Sequence, residues 1–170
     1  MVEKKQVLYD LRTTYSGPFV VEDFYAEVDN WIRDKGFEKE PKKNVEHVTK
    51  NGKKIELVIE AHHHMDELHY SIVVLKALLD NVKEVVVKKD GKKVRINNGD
   101  VLINIDGFIQ SHIHGSFYQV KPIYYFTRAL VDKFIYHFWS EKWDGVVVGD
   151  GHDLFKRIRA FFNLQQYKYQ

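Results

Sequence analysis

The sequence predicts an α+β domain: a curved antiparallel sheet of about six to seven strands packed on a long C-terminal helix, with an extra terminal helix behind it. Three observations predict this. Lys54 to His114 reads as one antiparallel meander with apolar residues at alternate positions. Pro122 to Trp139 is apolar on two adjoining helical stripes, which asks for burial on more than one side. A strand-like run and one amphipathic helix stand ahead of the meander.

In chain order, Gln6 to Tyr15 is rich in β-formers and reads as a first strand, stopped by Ser16-Gly17-Pro18. Pro18 suits a first helical turn, where its missing N–H goes unmissed. Val21, Phe24, Tyr25, Val28, Trp31 and Ile32 then recur at helical spacing, Glu22 and Asp23 lie where the helix dipole favours anions, and Gly36 supplies the stop. Lys39 to Lys43, polar and interrupted by Pro41, predicts a loop. Val45 to Thr49 predicts a short strand, and Asn51-Gly52 a two-residue hairpin turn. Beyond it Ile55, Leu57, Ile59 and Ala61 take one strand face, Glu56 and Glu60 the other.

Leu68 to Leu79, apolar at most positions, predicts a central strand covered on both faces, with a helix through Val73 to Leu79 as the competing reading. Val85 to Lys89 and Lys92 to Ile96 flank a second hairpin turn at Asp90-Gly91, and Asn98-Gly99 opens a third. Val101, Ile103 and Ile105 alternate with Asn104 and Asp106, and Gly107 marks a bulge or bend before Ile109 and Ile113. Pro122 opens the long helix. Ile123, Phe126, Leu130, Phe134 and Phe138 form one stripe, and Tyr125, Val131, Ile135 and Trp139 the next. A valine run between glycines, Val146 to Val148, predicts a short strand or packed loop. Asp153 caps a last helix, Leu154 to Phe162, and Gln165 to Gln170 is a loose tail. With no repeat and no composition shift, residues 1–170 form a single domain.

A chain of 170 residues is large enough for a real core, and 44% apolar with 14% aromatic residues points to a dense one or to an apolar pocket. Twenty-six basic against 24 acidic residues argues against a chain built to coat nucleic acid. The absence of cysteine excludes disulfides, thiolate catalysis and cysteine metal sites. No leader-like N-terminus and no run of ~20 apolar residues is present, so a cytoplasmic chain without a membrane span is expected.

The order strand, helix, antiparallel strands, long helix resembles the helix-grip architecture of the START-type lipid-transfer and birch-pollen-allergen superfamily over roughly residues 6–140. That resemblance implies an apolar cavity between sheet and helix. Element order alone carries it, so no functional residue transfers. Arg12-Thr13-Thr14-Tyr15, Asp106-Gly107 and Phe162-Asn163-Leu164 are similar to a group of small uncharacterised archaeal proteins, which implies no activity.

These readings make the expected function non-enzymatic: a domain holding a hydrophobic small molecule or lipid, without cofactor. Tyr125, Phe126, Leu130, Phe134, His137 and Phe138 are the candidate pocket residues. A protein–protein or assembly factor with a filled core is one alternative. The other is a metal hydrolase, because His62 and His64 share a strand face and His69 follows the turn, giving three imidazoles. His112 and His114 form a second pair by the same parity, and Glu56 and Glu60 have only Asp106 as a carboxylate partner on the later strand. Gly149-Asp150-Gly151-His152 lacks the lysine and hydroxyl ending of a phosphate loop.

Overall fold

Side-chain alternation resolves into a five-stranded antiparallel sheet in the order β1-β5-β4-β3-β2. The strands are β1 (Val2–Phe19), β2 (Glu38–Thr49), β3 (Gly52–His64), β4 (His69–Lys89) and β5 (Lys92–His112). Helix α1 (Val21–Asp34) joins β1 to β2, and α2 (His137–Tyr169) ends the chain. The computed structural model describes residues 2–50, 52–89, 92–112 and 137–169.

One face of the sheet, hereafter the first face, carries Ile55, Leu57, Ile59 and Ala61 of β3, Val73, Leu75, Ala77 and Leu79 of β4, and Val101, Ile103 and Ile105 of β5. Both helices pack there through Phe24, Val28, Trp31, Leu154, Ile158 and Phe162. Each such side chain removed from water contributes about 1.5–3 kcal/mol, so this layer dominates stability. Phe162 anchors it, stacked on Tyr15 at 4.7 Å and on Phe24 at 5.6 Å. Helix α1 ends as the sequence predicts: Gly36 at φ 70° lets the Phe37 N–H reach Ile32 O and the Gly36 N–H reach Arg33 O, closing the last turn.

Residues Leu68 to Leu79 are extended, with β4 buried on both faces from Ser71 to Leu75, which rules out the helical alternative. Other expectations are corrected. The predicted loop Lys39 to Lys43 is part of β2, where Pro41 is tolerated because β2 is an edge strand and a register shift falls between Pro41 and Lys43. Asn98-Gly99 is no turn; both residues pair inside β5, with Pro18 and Gly17 of β1. Glycine is needed there because β4 buckles at Asn81, and a Cβ on Gly99 would lie 2.9 Å from the Asp80 carbonyl. Through these fusions the described residues form five long strands where the sequence predicts six or seven shorter ones. The turn positions Asn51 and Asp90-Gly91 lie outside the described residues, but their flanking strands pair up to Thr49–Gly52 and Lys89–Lys92.

At the C-terminal end, Val146 to Val148 is neither strand nor loop, and Asp153 caps nothing, because both lie within α2. Three glycines inside a helix disfavour it by about 1 kcal/mol each, and packing overrides this. A Cβ on Gly107 would stand 2.9 Å from both Leu8 Cβ and Val147 Cγ1, and one on Gly151 would run into Leu8 Cδ2. Glycine on both sides lets α2 settle directly on the sheet. The expected bulge at Gly107 belongs instead to its partner strand, since β1 shifts register on either side of Leu8 while β4 and β5 pair without interruption there. The tail stays helical to Tyr169. The predicted helix Pro122 to Trp139 lies outside the described residues up to 136; residues 137–139 open α2.

Candidate functional site

The other face of the sheet, the second face, is where chemistry collects. Register places its residues in rows. From one end to the other these are His64, Tyr70 and Gln110; His62, Ile72 and Phe108; Glu60, Val74 and Asp106; Val58, Lys76, Asn104 and Arg12; and Glu56, Leu78 and Leu102. Ile72 and Val74 are buried, while Val58, Leu78, Leu102 and Phe108 are half-buried. An open hollow of about 430 Å³ lies over the last two rows, floored by Val58, Leu78 and Leu102 and edged by Arg12, Lys43 and Lys76.

Among the described residues Asp106 is the one buried carboxylate of this face, 6% exposed. Its Oδ2 accepts from Lys76 Nζ at 2.8 Å, and its Oδ1 from the Asp10 backbone N–H at 3.0 Å and Gln6 Nε2 at 3.3 Å. The β1 irregularity supplies the Asp10 contact: Asp10 sits at φ 47° within the second register shift, between Leu8 and Leu11, turning its N–H inward. Asp10 Oδ1 in turn accepts from Arg12 and Asn104. Burial works against ionisation of Asp106, yet the Lys76 hydrogen bond, the Asp10 N–H and the Lys76 charge outweigh it and hold the carboxyl below its usual range.

A carboxyl depressed in the fold stabilises above its unfolded value, about 3.9, and that contribution is lost as pH falls through the folded value. The gap in urea midpoint between wild type and Asp106→Asn is therefore expected to be widest near neutral pH and to narrow by about pH 3. A gap that stays constant between the two pH values contradicts the charged pairing.

The three candidate metal-ligating histidines do not converge. His62 and His64 share the second face, as their parity requires, with His64 packed on Tyr70 at 4.1 Å. His69 projects to the first face, its Nδ1 2.8 Å from Asp66 Oδ1, which also accepts the Leu68 and His69 backbone N–H groups across the β3–β4 turn. His112 lies on the second face beside Tyr70 and 2.9 Å from Gln110; His114 lies outside the described residues. Glu60 and Asp106 share a row with Val74 between them, each engaged by its own lysine, Lys42 and Lys76. Tyr125, Phe126, Leu130 and Phe134 lie outside the described residues, and of His137 and Phe138 only the backbone, in the first turn of α2, is described.

What His62 does meet is a pair of glutamates. Its Nε2 lies 3.1 Å from Glu40 and 3.4 Å from Glu60. Lys42 reaches the same carboxylates at 2.5 and 3.6 Å. The Lys42 hydrogen bond, with smaller contributions from its charge and from His62, outweighs desolvation and keeps the Glu40 carboxyl below its usual range. Glu40 goes unnoticed in the sequence because Pro41 suggests a loop, which has no faces. Read as an edge strand, the stretch places Glu38 opposite His62 and Glu40 opposite Glu60. The chain matches no protein-family model, no curated protein and no solved structure.

Proposed function

We propose that the chain is a non-enzymatic binding domain of helix-grip type, holding an apolar small molecule, such as a lipid, between the second face of the sheet and the segment Pro122 to Trp139. The observation that carries this reading is the apolar strip Ile72, Val74, Leu78 and Leu102 on a face to which neither α1 nor the described core of α2 contributes. A sheet face turned to water reads polar at alternate positions; along β4 this one is apolar at Ile72, Val74 and Leu78. Its hollow of about 430 Å³ falls within the roughly 300–1,000 Å³ of small-molecule sites.

In this reading Tyr125, Phe126, Leu130, Phe134, His137 and Phe138 supply the opposite wall. The Lys76–Asp106 pair and Arg12 give a polar end that orients an amphipathic ligand. The expected occupant is thus an apolar body with one polar group.

Native mass spectrometry of stripped protein after incubation with a total lipid extract tests this. A discrete adduct at one ligand per chain is the expected result. Protein that stays empty throughout overturns the ligand reading and leaves the face to a protein partner.

A further inference from the structure

On the β2–β3 hairpin, one row from the hollow, regular pairing sets Glu40 opposite Glu60 and Glu38 opposite His62, which brings donors of mixed type to one spot. Glu40, Glu60 and His62 each offer one ligand atom, all within 4.8 Å of one another. Two of the three separations are within about 0.2 Å of those in a coordination shell. Bonds of about 2.0–2.2 Å at tetrahedral angles put ligand atoms roughly 3.3–3.6 Å apart. His62 Nε2 stands 3.1 and 3.4 Å from its two carboxylate oxygens.

A second observation points the same way. His62 Nε2 is closed to water and, despite those short distances, aligned for a hydrogen bond with neither oxygen. A ring nitrogen shut from solvent without a hydrogen bond is costly, and a metal ion satisfies it. The carboxylates meanwhile hold a cation of their own, the Lys42 ammonium. Glu40 remains about half exposed, which gives an ion an entry route and room for a water ligand.

We propose that Glu40, Glu60 and His62 form a divalent-cation site of zinc-like preference, in which the metal takes the place of the Lys42 ammonium. Nitrogen beside two carboxylates favours Zn²⁺ or Co²⁺ over Mg²⁺ and Ca²⁺, which prefer oxygen throughout. None of the three ligating residues lines the hollow, although Glu60 stands one row from it, so metal uptake and ligand uptake are read separately.

The test is a Zn²⁺ titration by calorimetry of the full chain freed of any purification tag, with Co²⁺ visible absorption as a second readout of nitrogen ligation. One saturable site is expected, weakened tenfold or more by His62→Ala and by Glu60→Gln. His64→Ala is expected to leave it intact. Lys42→Met removes the competing charge from an exposed position and is expected to tighten binding severalfold, a gain that misfolding does not mimic. The proposal is overturned if neither wild type nor Lys42→Met takes up metal saturably. It is equally overturned if uptake ignores His62→Ala or depends on His64 instead.

Discussion

Replacing Trp31 with alanine is expected to destabilise the domain by about 3–5 kcal/mol, the range for emptying a large aromatic from a closed core. Trp31 is fully buried, stacked on Phe37 at 5.1 Å, and its Nε1–H donates to Asp153 Oδ2 at 3.2 Å. It is the bolt between α1, β2's entry and α2. The lost hydrogen bond contributes little, because the Asp153 side chain is 51% exposed and water takes over. The cavity decides the outcome. At about 2–4 °C per kcal/mol for a domain of this size, Tm falls by roughly 6–20 °C. Trp31→Phe keeps the stacking and is expected to lose less than half as much. Thermal denaturation followed by circular dichroism checks both, and a Trp31→Ala loss below about 1 kcal/mol contradicts this view of the core.

The second large effect comes from adding atoms. Gly107→Ala is expected to destabilise by about 1–3 kcal/mol, since the new methyl has Leu8 Cβ on one side and Val147 Cγ1 on the other, both at 2.9 Å. Backbone-proximal Leu8 Cβ has no means of yielding, whereas the Val147 methyl can be deleted. Val147→Ala alone opens a cavity at a fully buried position. The two changes together are therefore expected to be less damaging than their sum, with a coupling of about 0.5–3 kcal/mol measured by a double-mutant cycle in urea. Strict additivity contradicts the direct seating of α2 on β5.

Local pattern made much of this fold legible. Alternation in Ile55 to Ala61 assigns both sheet faces of β3, and the stripe Val21 to Ile32 assigns the buried side of α1, as the burial confirms. The misreadings share one cause: residues with strong local habits were used for tertiary ends. Pro41 sits in an edge strand, where a missing N–H goes unused, and Gly99 relieves a buckle in its neighbour. Gly145, Gly149 and Gly151 lie within a helix. No one-dimensional signal carries the approach of Leu8 to Gly107 and Gly151, 99 and 143 positions further along the chain. The candidate site divides the same way. Parity places His62, Glu60 and Glu56 on one face, but Asp106 gains the Asp10 N–H only through the β1 irregularity.

The most direct measurement is binding of an environment-sensitive apolar fluorophore to Leu102→Asp and to Val86→Asp. Leu102 floors the second-face hollow, whereas Val86, 59% exposed, lies far along the β4–β5 hairpin. If that face holds an apolar ligand, Leu102→Asp weakens binding at least tenfold and Val86→Asp leaves it unchanged. Equal binding by both variants and wild type, with folding intact, contradicts the account.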